Sequence, residues 1–222
     1  MTLIETTSLV KQYGRGKKEV SGLAGVDLTV EPGEYLALVG PSGSGKTTLL
    51  LSLGGLIRPT SGQVLIDGQS IYALPLAQRI ALRRTKIGFL FQTFNLIPYL
   101  TALENVQVPL MIAGKGREEQ ETIARAVLER VGLGNRLAHK PSELSIGQQQ
   151  RVALARTLAN NPSIILADEP TGNLDPASTN GVADMLHALN SEGITIIMVT
   201  HDPRMAARAG RVLELVEGKI AA

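Results

Sequence analysis

With 222 residues, 44% of them hydrophobic, the chain can bury a full core, and with no cysteine it can build neither disulfides nor cysteine metal sites. A formal net charge of +2 gives no support to a nucleic-acid partner. The start, Met1-Thr2-Leu3-Ile4-Glu5, lacks the features of a secretory leader, and the longest uncharged run, between Lys86 and Glu104, holds Gln92, Asn95 and Pro98 and is a poor membrane span; the expectation is a cytosolic chain.

In chain order, Val26 to Val30 and Tyr35 to Val39 read as strands joined by the turn Glu31-Pro32-Gly33-Glu34. Then comes Gly40-Pro41-Ser42-Gly43-Ser44-Gly45-Lys46-Thr47-Thr48, the pattern Gly-x-x-x-x-Gly-Lys-Thr, between that strand and a helix-like run from Thr47 to Ile57. A helix start leaves backbone N–H groups without partners and carries partial positive charge, so phosphate oxygens fit there. Gly40, Gly43 and Gly45 let the backbone come close to a phosphate, Lys46 supplies a point charge, and the Thr47 hydroxyl suits Mg²⁺. Gly62 to Ile66 is a further strand, stopped by the hairpin signal Asp67-Gly68. Ile87 to Phe91 is a short buried strand ending at Gln92, which could touch Mg²⁺ or water and register a terminal phosphate.

From Thr101 to Ala159 the pattern is mainly helical. Ile123, Val127 and Val131 recur at helical spacing, and Pro141 breaks the run. It restarts at Ser145, with Val152, Ala155, Leu158 and Ala159 as its apolar stripe. Within Leu144-Ser145-Ile146-Gly147-Gln148, Ser145 and Gln148 have the spacing of a capping box, which makes Ser145 the N-cap and Ile146 the first helical residue.

Strands then return. Ile164 to Ala167 is apolar enough to be buried on both faces and ends in Asp168-Glu169. Open α/β sheets place ligands at the carboxyl ends of their strands. Asp168 is placed there to hold Mg²⁺, directly or through water, and Glu169 to polarise an attacking water. A helix from Thr179 to Asn190 leads to the strand Ile194 to Thr200. His201 follows it as a donor to the terminal phosphate or to the water. Val212 to Val216 and Lys219-Ile220 form a last hairpin around Glu217-Gly218. Strand–helix alternation on both sides of a helical block predicts an α/β core with a helical subdomain inserted at about 93–158; with the phosphate loop it resembles a P-loop NTPase fold, which implies a RecA-like core at about 1–92 and 159–222 and an N-terminal antiparallel β-subdomain.

These motifs, in this order and over nearly the whole chain, resemble the ATP-binding subunit of ABC transporters. The phrases Gly55-Leu56-Ile57-Arg58-Pro59-Thr60-Ser61-Gly62, Phe91-Gln92-Thr93-Phe94-Asn95-Leu96-Ile97-Pro98 and Ala102-Leu103-Glu104-Asn105-Val106 are similar to the subgroup of the lipoprotein-release, macrolide-export and cell-division ATPases. The resemblance implies ATP and Mg²⁺ as ligands, Tyr13 stacked on adenine, and Glu169 as general base. It implies a homodimer that sandwiches ATP, in which Ser145 and Gly147, beside Gln148, meet the γ-phosphate held by the opposite copy and Asp175 links the two sites. It also implies an integral membrane permease, with or without a periplasmic or extracellular adaptor, and a place on the cytoplasmic side of the membrane. There the chain would power export or transmit mechanical work. The segment from Thr93 to Leu100 would help form the groove for a cytoplasmic helix of that permease.

The family motif has glycine where this chain has Ile146, so a branched side chain stands where a partner's phosphate must approach. That keeps alive a second reading, an ATP-gated dimerising clamp with little hydrolysis. DNA-maintenance ATPases share these motifs but insert long coiled coils, for which the spacing leaves no room. The basic cluster Lys11, Arg15, Lys17 and Lys18 reads as a solvated loop near adenine.

Overall fold

The structure, a computed structural model, describes residues 2–14 and 20–221. Arg15, Lys17 and Lys18 of the basic cluster lie outside the described residues.

Two sheets share the chain. β1 (Ile4–Tyr13), β2 (Val20–Val30), β4 (Ser61–Ile66) and β5 (Gln69–Ser70) form a four-stranded sheet in the order β2-β1-β4-β5, every pair antiparallel. The second sheet has the order β10-β9-β3-β8-β7-β6. It is made of β3 (Tyr35–Val39), β6 (Ile87–Phe91), β7 (Ile164–Asp168), β8 (Thr195–Val199), β9 (Arg211–Val216) and β10 (Lys219–Ile220). All its pairs are parallel except the terminal hairpin β9–β10.

Alternation along the central strands divides the core. Side chains of successive strand residues point to opposite faces. Tyr35, Ala37, Ile165, Ala167, Ile196 and Met198 face a helical layer. Leu36, Leu38, Ile164, Leu166, Ile197 and Val199 face the antiparallel sheet and α1 (Lys46–Leu53). The helical layer is α3 (Ala102–Ile112), α4 (Arg117–Arg130), α5 (Ile146–Leu158) and α6 (Pro176–Ser191). The short α7 (Pro203–Ala206) closes the far end of that layer through Met205 and Ala206. Pro141 does interrupt the helical block, with a single 3₁₀ turn over Pro141–Glu143.

Both predicted hairpin turns are present. Asp67 and Gly68 have φ of 50° and 73°, and Glu217 and Gly218 have 49° and 75°. Two successive positive φ values give the turn whose twist matches its flanking strands.

Three expectations change. β1 and the first half of β2 were not foreseen, because register shifts between Thr6 and Leu9 and again at Lys11 break their alternation. α2 (Leu76–Lys86) also escapes the hydrophobic pattern, since it has no buried residue. In α4 the fully buried positions are Ala124 and Leu128; Ile123 and Val127 flank them and only Val131 of the predicted stripe is buried. No helix among the described residues is long and apolar enough to cross a membrane.

Candidate active site

The parallel strands β3, β6, β7 and β8 deliver their carboxyl ends to one edge. There a cavity of about 530 Å³ is walled by Gly40, Ser42, Gly43, Gly45, Lys46, Thr47 and Thr48, with Tyr13, Glu169 and His201 around them. The loop is held by close approach. A Cβ on Gly40 would stand 2.1 Å from the Leu215 carbonyl oxygen, and one on Gly45 would stand 2.1 Å from that of Gly22. Both have positive φ, 140° and 103°, so no other residue fits either place.

Gly45 precedes α1 and offers no side-chain cap, so the first turn opens its N–H groups to the cavity. The Lys46 ammonium is folded onto the loop, donating to the carbonyls of Gly40 and Pro41 at 2.8 Å each, with Ser44 Oγ at 3.5 Å. This is a cation held at the mouth of a bare helix end, the arrangement that suits a polyphosphate.

Thr47 Oγ1 donates to Asp168 Oδ1 at 3.0 Å. Burial pushes the Asp168 carboxyl up, the Thr47 bond draws it down, and the charge of Glu169 pushes it up again. A carboxylate kept half out of water beside another one gains from a cation, and hard oxygen donors are the ligands Mg²⁺ takes. The described residues hold no cluster of three or more His, Cys, Asp or Glu able to bind a metal alone.

Glu169 turns away from Asp168 because its backbone is left-handed, with φ 49°. Its N–H donates to the Val199 carbonyl at 2.9 Å and its own carbonyl accepts from Gly172 at 3.1 Å. The carboxylate Oε2 meets Nδ1 of the exposed His201 ring. A non-glycine residue in this region costs about 1–3 kcal/mol, and here that strain falls beside the cavity.

Tyr13 lies on the cavity rim, 40% exposed, with Oη 3.2 Å from Thr48 Oγ1 and Lys11 Nζ 5.2 Å from its ring centroid. Sequence reasoning missed Val20, Ser21, Gly22 and Val199 in the wall. A glycine inside a strand marks a close backbone approach, but the half of β2 that holds Gly22 was itself not foreseen, so that signal had no context. The absent Cβ of Gly22 would meet the Tyr13 ring at 2.8 Å.

Gln92, Ser145, Gly147, Gln148 and Asp175 do not wall this cavity. Gln92 is exposed at the end of β6. Its amide packs over Gly172, whose Cβ would stand 2.8 Å from Nε2, and its carbonyl accepts from Asn173 Nδ2 at 3.1 Å. Ser145 caps α5 as expected, taking the Gln148 N–H at 3.3 Å and giving its own N–H to Gln148 Oε1 at 3.0 Å. Asp175 caps α6 through the N–H groups of Ala177 and Ser178, at 3.0 and 3.1 Å. Gly147 lets these two helix starts meet, since a Cβ there would lie 2.5 Å from Ser178 Oγ. Ile146 stands out from them, 53% exposed.

A glycine-bound anion loop, a cation, and a carboxylate pair at the carboxyl edge of a parallel sheet define a P-loop nucleoside-triphosphatase. The family model for ABC transporters matches residues 23–172. The chain is 49% identical to the ABC transporter ATP-binding protein YbbA of Escherichia coli K12, over 98% of its own length and 96% of that protein. It is 47% identical to the lipoprotein-releasing system ATP-binding protein LolD of Geobacter metallireducens, over 100% and 99%. It is 52% identical to the macrolide export ATP-binding/permease protein MacB of Syntrophobacter fumaroxidans, over 99% of this chain but only 31% of that longer protein. The dimeric cassette MJ0796, solved in a post-hydrolysis state with ADP and Pi, superposes with a TM-score of 0.91 at 42% identity, covering 99% of this chain and 97% of that one. This chain belongs to the ABC transporter family, among its ATP-binding subunits.

Proposed function

We propose that two copies of this chain close face to face on two ATP molecules with Mg²⁺ and hydrolyse them to drive a membrane permease. The carrying observation is that Lys46, Thr47, Glu169 and His201 share one cavity while Ser145 and Gly147 do not line it. A single copy therefore holds the chemistry without the motif that the family places on the terminal phosphate. The dimeric form of a relative that spans 99% of this chain supports a second copy as the source.

Within the cavity, the α1 N–H groups and Lys46 hold the phosphates, and Lys46 exchanges the loop carbonyls for phosphate oxygens. Thr47 and Asp168 would hold Mg²⁺, which neutralises phosphate charge when bound. Gln92, at the end of the neighbouring strand, would add a further oxygen donor. Glu169 accepts a proton from a water as that oxygen bonds to the terminal phosphorus and the bond to ADP breaks. His201, in contact with Glu169, orients that carboxylate.

The permease is a separate chain or a separate part of a longer one, and the cassette then sits on the cytoplasmic face. Residues 93–158 act as the helical subdomain. An adaptor beyond the membrane would belong to the same assembly. Support for the permease site comes from a groove of about 430 Å³ on another face, lined by Ile80, Phe89, Phe91 and Ile112 with Arg83 and Arg84 at its side. The residues from Thr93 to Leu100 do not line it; Phe94 and Leu96 instead pack into the helical core. Ile146 favours the second reading, a clamp that closes on ATP but turns over little.

Turnover measured with and without Glu169→Gln decides between them. Hydrolysis in the wild type, reduced about 100-fold or more in the variant, is expected of the enzyme. Wild-type turnover no higher than that of Glu169→Gln, with ATP-driven dimers in both, would establish the clamp.

A further inference from the structure

Beyond the cavity, one half-buried cation is held by main-chain oxygens rather than by a counter-charge. Arg156, in the last turn of α5, is withdrawn from water, and that burial holds its pKa below the usual arginine range. Among the described residues no carboxylate pairs with it. Instead its two terminal nitrogens donate to the main-chain oxygens of Asn95 and Phe94, both at 2.6 Å. A charge drawn partly out of water needs its donors satisfied. Two adjacent carbonyls can face one guanidinium here because Asn95 is left-handed, with φ 49°. Asparagine adopts that conformation more readily than most residues.

Phe94 and Asn95 belong to the loop that begins at Gln92. The same helix sends buried Gln150 to the Pro170 carbonyl, next to Glu169, and Gln150 Oε1 is left without a partner. Asn173 closes the triangle with its bond to the Gln92 carbonyl. α5 is thus tied near its C-terminal end to the loop of Gln92 and, a little over one turn from its start, to the loop of Glu169. Its other end is capped by Ser145, about 16 Å from Arg156 at the helical rise. Arg156 also lines the apolar groove, so the tie lies between that groove and Ser145.

We propose that Arg156 is a positioning residue: by clamping the loop after Gln92 to α5, it sets the pose in which Ser145 meets a second copy. This builds on the sandwich reading. Lysine is a poor substitute here: its single nitrogen lacks the rigid planar spread by which two separate nitrogens each meet one carbonyl.

The test uses the full chain with Arg156→Lys, Asn95→Val and Asn95→Gly. The β-branched valine disfavours the left-handed carbonyl pose while leaving Arg156 in place; glycine preserves it. Fluorescent-nucleotide titration gives the binding-competent fraction, and turnover is followed against protein concentration. Arg156→Lys and Asn95→Val are expected to bind nucleotide within about twofold of wild type. They should turn over about tenfold more slowly at low protein concentration and approach wild type as concentration rises. Asn95→Gly should behave as wild type throughout. A loss of equal size at every concentration, or a smaller competent fraction that accounts for it, would mean structural damage only and overturn the proposal. So would wild-type behaviour of both Arg156→Lys and Asn95→Val. Wild-type turnover that shows no dependence on protein concentration would instead sink the sandwich reading, and this proposal with it.

Discussion

The helix starts of α1 and α5 are both assigned to phosphate, and they are built in opposite ways. α1 begins after Gly45 with no side-chain cap and a cation lying across its mouth. α5 begins after Ser145, whose hydroxyl already occupies the Gln148 N–H, while Gln149 donates to the Ser145 carbonyl at 2.9 Å. That leaves the N–H groups of Ile146 and Gly147 at α5, beside an exposed isoleucine side chain. The first start is a seat made ready within one chain. The second is half-closed and serves only when something is brought to it. The difference teaches that, on the proposed sandwich, the cavity would bind nucleotide alone and would call on a second copy only for the chemistry.

The sharpest way to break the first seat is to fill it. Gly45→Ala is expected to destabilise the fold by about 3 kcal/mol or more in urea unfolding, because it adds a clash with Gly22 to a forbidden φ. Gly43→Ala is the control: its φ is 78° but nothing lies within 4 Å of its Cβ, so about 1 kcal/mol is expected. Equal losses at the two positions would contradict the account of the loop.

At the second start, Ser145→Ala should lower stability by only about 1 kcal/mol, the worth of a cap. Nucleotide affinity of the isolated chain should not change, yet turnover should fall more than tenfold, about 1.4 kcal/mol or more of lost transition-state stabilisation. A turnover loss no larger than the stability loss explains would make Ser145 a cap and nothing more.

Ile146→Gly sharpens the comparison further. It should cost a few tenths of a kcal/mol in stability and raise turnover a few-fold, about 1 kcal/mol of barrier. A lower turnover would show that the isoleucine contributes a contact rather than an obstacle.

The smallest effect is one of pH. Bonds from the Ser178 side chain and backbone, then from the Ala177 backbone, hold the exposed Asp175 carboxyl below its usual range. A depressed carboxyl stabilises the fold above its unfolded value and loses that contribution as pH falls through the folded one. Asp175→Asn keeps a good cap without a titration. Its Tm should therefore fall less than that of wild type between about pH 5 and pH 3. The Ser145 cap of α5 has no such dependence.

Much of this was readable in the chain because its signals are local. The Gly40 to Thr48 loop, the Ser145 capping box and the two hairpin turns each depend on a few neighbouring residues. The central strands were readable because burial on both faces makes them continuously apolar. What stayed hidden depends on tertiary contact. The bulged β1 has no clean alternation, and α2 buries nothing. Gly22 acquires its meaning only when Tyr13 and Gly45 arrive beside it. That Gln92 packs over Gly172 outside the cavity could not be read from either position alone.

The absence of native cysteine makes the central claim directly measurable. Ser42→Cys and Ile146→Cys are placed in one Glu169→Gln chain and treated with a short bis-maleimide. Crosslinked dimer that forms with ATP and Mg²⁺, and not with ADP or without nucleotide, is the result predicted for a sandwich in which each copy completes the other's cavity. Crosslinking that ignores the nucleotide, or monomer under every condition, would contradict it.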